Sequence, residues 1–319
     1  MGDIGGVCRI IFDICMIPKF PELKRLEQSD KDELEGFVKK YEVYSDFNFV
    51  SMWVYDTKEI LETCWLNKNL VVKFQDYLTT KPFFSMLGNH DLEATATDLI
   101  NFSKEKLNIP FLKLVPEIVA KKLIKIPGFV VNEDPDNNDY LVKVADLAEM
   151  KGGKYMKKRN HIHGFERDYG SVCKIVDINL SDKKDQETII NIFLDWETSR
   201  GKVREDTQVE LDAVKRLFML KDIKNILCLG LVVGNKIIGF SICEILEDNN
   251  AIYHFEKADI EYRGVFAYLK FKTAQRLLNS GVLVWNLEQD LGDPGLRISK
   301  TECRPFKMLK KYTVSINDM

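Results

Sequence analysis

The sequence predicts an α/β (α+β) protein in two segments, each combining antiparallel hairpins with one βαβ crossover. Of its 319 residues, 45% are hydrophobic and 11% are aromatic, which is enough to bury a core and excludes wholesale disorder. The length fits two domains of ordinary size. Strand-like runs, turn residues and amphipathic stretches alternate in the same way in both halves of the chain.

The first half begins with a helix in SDKDELEGFVKKY, where apolar residues recur at helical spacing. Two β-rich runs around Asn67-Lys68-Asn69 then predict a hairpin. A strand (PFFSMLG), a helix (DLEATATDLINFSKEKL) and a further strand (FLKLV) follow. The stretch GFVVNEDPDNNDYLVKV predicts a second hairpin, because DPDNN has the composition of a turn.

The second half opens with a strand in SVCKIVDINL and two amphipathic helices in DQETIINIFLDWETSR and TQVELDAVKRLFML. A hairpin around Gly234-Asn235-Lys236 and a strand in NAIYHFEKAD come next. The helix GVFAYLKFKTAQRLLNSG is expected to end at Gly281. After a strand in VLVWNLEQ, Asp293 as N-cap and Pro294 at the first position begin a last helix.

The basic stretch Lys151 to Gly170 is the predicted junction between the halves, because no low-complexity linker separates them. We therefore predict an N-terminal domain at residues 1–150. A C-terminal domain at residues 151–319 then begins with a bridging basic helix. Its sheet and that of the first domain are expected to be mixed, mainly antiparallel and flanked by helices.

A helical wheel of this stretch separates a basic face from an apolar stripe. The basic face contains Lys154, Lys157, Lys158 and His161, and the stripe contains Tyr155, Ile162, Phe165 and Tyr169. Two interpretations remain open: an ordinary solvated helix face, or a wall that holds phosphates beside a cleft. A metal site on His161 and His163 is not expected, because residues two apart on a helix point about 200° away from each other.

Charge and cysteine content limit the class of protein further. A net charge of −3 argues against a protein that coats nucleic acid, so such contacts would need local patches. Seven cysteines without a CxxC pair predict reduced thiols and a cytoplasmic location. No apolar run approaches the length of about 20 residues that spans a bilayer. The N-terminus fits neither a signal peptide nor a myristoylation signal, and VCRIIFDICMI is at best a peripheral anchor.

Further charged residues lie in the C-terminal part of the chain. A second basic stripe contains Arg297, Lys300 and Arg304, at helical spacing. The turn Arg263-Gly264 precedes a helix, and helix N-termini after such turns can bind phosphate through backbone N–H groups. Nearby acids that could orient an amine are Glu256, Asp259, Glu261, Glu288 and Asp290. For each one alone, a solvated surface position is an equally good interpretation.

Four strings together resemble one family: YSDFNFVSMWVY, KYMKKRNHIHGF, FEKADIEYRG and NLEQDLGDPGLRISKTECRPFKMLKKY. The family is the C-terminal domain of phosphatidylglycerol lysyltransferases, in a stand-alone form, and the resemblance covers roughly residues 30–314. The shared positions are Tyr44, Ser45, Asp46, Phe47, Lys157, Lys158, Arg159, Asn160, Glu256, Lys257, Asp259, Arg263, Asn286, Asp290, Gly292, Gly295, Leu296, Lys300, Pro305 and Tyr312. The sequence departs from the family pattern at Leu287, where arginine is common, and in ISKTEC, where the run is more basic.

The resemblance implies two GNAT-like domains in tandem, related to Fem-type peptidyltransferases that use aminoacyl-tRNA. The implied activity is transfer of an aminoacyl group to an amine, a hydroxyl or a lipid headgroup. The expected catalytic residues are Glu256, Asp259 and Arg263. The expected donor-binding residues are Lys154, Lys157, Lys158, Arg159, Asn160, Arg297 and Lys300, and further site candidates are Asn286, Glu288 and Asp290. No cofactor is expected beside the donor.

Two other functions remain open. An acyl-CoA-dependent N-acyltransferase would use the pyrophosphate loop (Q/R)xxGx(G/A), which is only partly met because Arg263 directly precedes Gly264. A non-catalytic module that binds a partner or an RNA fits the same composition. The ligand, tRNA or CoA, distinguishes these functions.

Overall fold

The computed structural model describes residues 17–76, 79–199, 205–222 and 224–317. The interpretations of the N-terminus as signal, lipidation site or peripheral anchor fall on residues outside these ranges, apart from Ile17. Within the described ranges, no helix combines the length and apolar character needed to cross a bilayer.

The helices and strands follow each other in mixed order along the chain. The α-helices of the described residues are α1 (Lys31–Val38), α2 (Phe49–Tyr55), α3 (Leu92–Leu107), α4 (Glu117–Leu123), α5 (Val144–Glu149), α6 (Met156–Tyr169), α7 (Lys183–Ser199), α8 (Glu205–Leu217), α9 (Val265–Asn279) and α10 (Pro294–Thr301). The strands are β1 (Lys24–Arg25), β2 (Glu62–Leu66), β3 (Asn69–Gln75), β4 (Pro82–Leu87), β5 (Phe111–Pro116), β6 (Phe129–Glu133), β7 (Asp139–Lys143), β8 (Cys173–Asp177), β9 (Ile226–Val233), β10 (Lys236–Ile245), β11 (Asn250–Ala258), β12 (Val284–Asn286), β13 (Lys307–Leu309) and β14 (Lys311–Ile316).

These strands form three sheets, with orders β1-β2-β3-β4, β5-β14-β6 and β13-β7-β12-β11-β10-β9-β8. Among the strand pairs described, β11 and β12 run parallel and the others run antiparallel. The predicted fold class, α/β with mixed and mainly antiparallel sheets flanked by helices, is confirmed.

Two strands cross between the segments that the sequence assigned to separate domains. Strand β7 lies between β12 and β13, and β14 lies between β5 and β6. The predicted hairpin of β6 with β7 is therefore wrong, although both strands and the turn at Pro135–Asn137 exist. Turn composition shows where a strand ends, whereas the partner strand depends on tertiary packing. The division at residues 150/151 stays a prediction.

Both of the other predicted hairpins form, but with two-residue turns. The pairs Leu66–Leu70 and Val233–Ile237, which three-residue turns predict, do not form. Asn67 and Lys68 have φ values of 50° and 62°, so they form a two-residue turn and Leu66 pairs with Asn69. In the second hairpin Val233 pairs with Lys236. Two-residue turns with positive φ match the twist of paired strands, which explains why the shorter loop forms.

The predicted basic helix exists as α6, and its apolar stripe is buried against α9. Phe165 stacks on Tyr268 of α9 with ring centroids 4.5 Å apart. Gly264, directly before α9, has a φ of 86°, and a Cβ there would meet the carbonyl oxygen of His161 at 2.5 Å. The two helices thus pack closely at a position that only glycine fits. The role of α6 as a bridge between domains stays a prediction.

One hydrophobic core joins the two halves of the chain. It contains Phe47 and Phe49 from around the start of α2 together with Phe240 and Phe255 from the seven-stranded sheet. These rings are almost completely buried, so the two segments share an interior surface. That shared surface positions the cavity described next.

Candidate functional site

A cavity of about 900 Å³ opens where β11 and β12 separate. The two strands pair over only three positions, from Asn250–Val284 to Ile252–Asn286. Beyond this point β11 continues to Ala258 beside β10, and the chain after β12 turns away towards α10. The separation leaves room for a ligand of substrate size.

The cavity gathers only part of the residues that the sequence singled out. Those that line it are Ser45, Asp46, Glu256, Lys257, Glu288, Gly292, Gly295, Leu296 and Lys300. Those that do not line it include Lys154, Lys157, Lys158, Arg159, Asn160, Asp259, Arg263, Asn286, Asp290 and Arg297. The roles of both sets stay predictions, but the first set is brought together in space.

Arg297 on α10 holds the segment that precedes this helix. Its guanidinium contacts both carboxylate oxygens of Asp290 at 2.8 and 2.9 Å and Asp136 at 2.6 Å. Asp290 also accepts a 2.5 Å hydrogen bond from Tyr140. Burial would raise the pKa of Asp290, but these hydrogen bonds outweigh it and lower that pKa. Arg297 is thus engaged within the protein.

The basic face of α6 lies outside the cavity, and two of its lysines are paired within the protein. Lys154 contacts Asp146 at 3.1 Å, and Lys157 contacts Glu302 at 2.6 Å. Arg159 donates to the carbonyl oxygens of Met150 and Gly152. Its hydrogen bonds hold the turn that precedes the helix.

Asp259 and Arg263 flank the N-terminus of α9 outside the cavity. Asp259 contacts Lys236 at 3.1 Å and accepts a hydrogen bond from the backbone N–H of Glu261. Arg263 is exposed. Of the three residues predicted to be catalytic, Glu256 is the one that lines the cavity.

Glu256 belongs to a cluster that the sequence did not predict. Lys270 on α9 contacts Glu256 Oε1 at 3.2 Å and donates to the hydroxyl of Tyr253 at 3.0 Å. Within the described part of the chain, Glu256 Oε2 is buried without a hydrogen-bond partner. A buried carboxylate oxygen in this state can accept a hydrogen bond from a ligand. The signal in the sequence was a lysine on the apolar face of a predicted helix.

Lys257 forms the opposite wall with α7 and α8. Its ammonium lies 2.6 Å from Glu210 and 4.2 Å from the ring centre of Trp196. An aromatic face and a carboxylate together hold the cation in place. Lys257 is therefore a fixed part of the cavity wall.

Lys300 enters the cavity from α10 without a carboxylate at ion-pair distance among the described residues. Its ammonium donates to the carbonyl oxygen of Gln289 at 2.5 Å. Burial lowers the pKa of Lys300 to about 8, although Glu288 and Asp139 act against this shift. An amine with such a pKa changes charge close to neutral pH.

His254 is the second residue that the sequence did not predict to be part of the site. Ile242 pairs with Phe255 and Cys243 with Tyr253, so His254 is the extra residue of a β-bulge. Its ring lies between Glu244 and Glu288, with N–O distances of 3.3 and 3.5 Å. Burial would lower the pKa of His254, but the two carboxylates outweigh it and raise that pKa to about 9. Strand alternation cannot show a bulge, which is why this residue was missed.

The floor of the cavity joins both segments of the chain. Lys311 on β14 contacts Asp46 and Asp139, and all three side chains are buried. Asp139 also accepts hydrogen bonds from Ser45 at 2.7 Å and from Asn286 at 3.1 Å. Burial raises the pKa of Asp46 to about 6, against the charge of Lys311.

The cavity therefore offers charged groups and hydrogen-bonding atoms, while its described residues include no group of three metal ligands. Glu256, Glu288 and Lys300 line this same cavity. Such an arrangement can hold an amine and stabilise a developing oxyanion.

Comparison with known proteins gives one family and several similar structures. A family model described as phosphatidylglycerol lysyltransferase, C-terminal, matches residues 42–315. A conserved protein of unknown function from Bacteroides thetaiotaomicron is 25% identical with a TM-score of 0.80, covering 92% of this chain and 99% of that one. L-PGS from Bacillus licheniformis is 12% identical with a TM-score of 0.58, covering 91% and 93%.

Two further relatives extend the comparison. The C-terminal domain assigned to a lysylphosphatidylglycerol synthetase from Agrobacterium fabrum is 15% identical with a TM-score of 0.60, covering 91% of this chain and 93% of that one. An uncharacterized protein of Mycoplasmoides gallisepticum is 24% identical over 189 residues, which is 59% of this chain and 58% of that protein. The resemblance read from the sequence is confirmed.

Proposed function

The chain belongs to the family of the phosphatidylglycerol lysyltransferase C-terminal domain, and on this premise we propose that it transfers an aminoacyl group from aminoacyl-tRNA to an amine or hydroxyl acceptor. Family membership supports a transferase of acyl or aminoacyl groups in general. The choice of donor and acceptor is our proposal.

The observation that carries the proposal is the meeting of Glu256, Glu288 and Lys300 in one cavity. Glu288 lines the cavity with its Oε1 3.5 Å from His254 Nδ1, and Glu256 has a buried carboxylate oxygen without a hydrogen-bond partner in the described structure. Leaving such oxygens unsatisfied is unfavourable, so the cavity suits a ligand that brings hydrogen-bond donors. An ammonium or amine group is such a ligand.

The reaction needs little covalent machinery, because the ester of aminoacyl-tRNA is already activated. The acceptor nitrogen or oxygen attacks the ester carbon, a new C–N or C–O bond forms, and the bond to the ribose oxygen breaks. The proton lost by the acceptor ends on that ribose oxygen. Alignment of the two reactants and stabilisation of the oxyanion supply most of the rate.

The residues of the cavity divide these tasks. The carboxylate of Glu256 holds an amine, and the ammonium of Lys300 stabilises the oxyanion that forms at the ester carbon. Lys157, Lys158 and Arg263 lie outside the cavity and remain candidates for contacts with phosphates further along the tRNA. This assignment replaces the expected role of Asp259 in holding the acceptor, because Asp259 does not line the cavity.

A binding titration tests the proposal. Charged tRNA, uncharged tRNA and CoA are titrated against the purified protein, and native mass spectrometry identifies any ligand retained during purification. Tighter binding of charged than of uncharged tRNA, followed by transfer of a radiolabelled aminoacyl group, supports the proposal. Binding of CoA alone would favour the acyl-CoA-dependent alternative, and binding of neither would favour a non-catalytic module.

A further inference from the structure

The imidazole of His254 lies between two carboxylates in a fully buried position. Its Nε2 is 3.3 Å from Glu244 Oε2, and its Nδ1 is 3.5 Å from Glu288 Oε1. Burying an unpaired charge is costly, so Glu244, which is itself buried, requires a cation beside it. A protonated His254 balances the charge of one of the two carboxylates, so one negative charge of Glu244 and Glu288 remains unbalanced.

The inner end of this arrangement is fixed. Asn48 donates to Glu244 Oε2 at 2.8 Å, and its own side-chain oxygen accepts from the backbone N–H of Ser51 at the start of α2. Asn48 thus caps a helix and holds Glu244 at the same time. Since Glu244 cannot turn away, the surplus negative charge lies on the cavity side, at Glu288.

The outer end is held by an unusual backbone conformation. Glu288 has a φ of 58°, which is uncommon for a residue other than glycine. Its N–H donates to Asn286 Oδ1 at 2.7 Å, and its carbonyl oxygen accepts from the N–H of Tyr140. Strained residues that are held in this way occur frequently at functional sites.

From this geometry we propose that His254 is a positioning residue that directs the carboxylate of Glu288 into the cavity, through the chain Asn48–Glu244–His254–Glu288. Only the contact of Glu288 with a substrate amine rests on the proposed function. The chain itself consists of contacts within the protein.

Other charged groups act on the same chain from neighbouring elements. Lys300 on α10 and Asp46 on the floor both interact electrostatically with Glu288, and Glu35 on α1 interacts with Glu244. Of these, the cation Lys300 approaches from the cavity side, where a substrate would lie. His254 is the cation on the protein side, in contact with Glu288 Oε1.

An NMR titration of histidine-labelled protein tests the chain without any substrate. The chain has four histidines, and the signal that disappears in His254→Gln identifies His254. We expect His254 to titrate near pH 9 in the wild-type protein. In Glu288→Gln and in Glu244→Gln its pKa should fall by about 1 to 3, because each change removes an adjacent opposite charge.

The matched control is Glu261→Gln, which changes an exposed carboxylate and should leave the titration of His254 unmoved. Glu288→Gln alters a residue at the cavity surface, so the experiment remains possible if Glu244→Gln fails to fold. Titration of His254 near its ordinary pH of 6.5, or a pKa unmoved by Glu288→Gln, overturns the proposal.

A pH profile separates positioning from a structural role. With charged tRNA as donor, loss of the imidazolium beside Glu288 in His254→Gln should move the acidic limb of kcat/KM to higher pH by about 1 pH unit or more. An unmoved limb contradicts the proposal. If wild-type protein transfers nothing while the NMR coupling is present, the proposed function fails and the chain from Asn48 to Glu288 stands.

Discussion

The ammonium of Lys311 lies 2.7 Å from the carboxylate of Asp139, and both side chains are fully buried. Lys311 begins β14 and Asp139 begins β7, the two strands that cross between the halves of the chain. The ion pair therefore joins the two strand exchanges at the floor of the cavity. Lys311 also contacts a second carboxylate, that of Asp46, which lines the cavity. Loss of the Lys311 ammonium therefore affects both the fold and the site.

Lys311→Met should lower the free energy of unfolding by about 3 to 5 kcal/mol, because two buried carboxylates lose their counter-charge. Urea denaturation measures the change. The neighbouring Lys310→Met is the control, since the side chain of Lys310 is 41% exposed and its solvent-screened pairing with Glu133 should contribute little to stability. Equal effects of the two substitutions would contradict a buried role for Lys311.

Glu256→Gln should reduce the rate of aminoacyl transfer by at least about tenfold, because an amide no longer provides the charge that holds an amine. Steady-state kinetics with charged tRNA measures the effect. Asp259→Asn serves as the control, because Asp259 pairs with Lys236 outside the cavity and its loss should change the rate little. A larger loss of rate in Asp259→Asn than in Glu256→Gln would place the acceptor site at the N-terminus of α9 instead.

Lys300 should make tRNA binding depend on pH. Since its pKa is about 8, it loses its charge as the pH rises from 7 to 9, and affinity for a polyanion should fall over that interval. Fluorescence anisotropy with labelled tRNA measures this dependence. Lys300→Arg should abolish it while keeping affinity, and Lys300→Ala should reduce the slope of log K against log salt by about 0.7. A pH dependence that persists in Lys300→Arg would assign it to another group.

His254 should make stability depend on pH. Its folded-state pKa of about 9 lies above its ordinary 6.5, so its protonated form stabilises the fold fully below pH 6.5, and this contribution disappears as the pH rises through 9. The difference in free energy of unfolding between wild type and His254→Gln should shrink by about 3 kcal/mol over this interval. Denaturation at several pH values measures this difference. Lys300 is present in both proteins, so its own contribution to the pH dependence cancels. A constant difference would mean that His254 is neutral.

Gly264→Ala should destabilise the protein by about 2 kcal/mol or more. The residue has a φ of 86°, and the added Cβ would meet the carbonyl oxygen of His161 at 2.5 Å. Gly281→Ala at the other end of α9 is a matched control, because its φ is 82° but nothing lies within 4 Å. Thermal denaturation should therefore show a cost of about 1 kcal/mol there. Equal costs would argue against close packing of α6 on α9.

The local elements of this protein follow from residues that are close together in the chain. Asp293 accepts from the N–H of Leu296 and starts α10, and Gly281 with positive φ follows the end of α9, both as predicted. The buried stripe of Ile162 and Phe165 was also predicted. Caps, turns and helical periodicity depend on residues that are neighbours in the chain, so the sequence contains them directly.

Contacts between residues that are distant in the chain depend on how the whole molecule packs. The partners of β7 and β14 depend on packing of the whole chain, and the bulge that places His254 between Glu244 and Glu288 interrupts the alternation that a strand pattern assumes. Glu256, Glu288 and Lys300 could be predicted as charged candidates, but Lys270 could not, because a lysine on an apolar helix face gives no sign of its partner. The physical reason is that a buried charge is stabilised by whatever opposite charge lies within a few ångströms, and that neighbour need not be close in sequence.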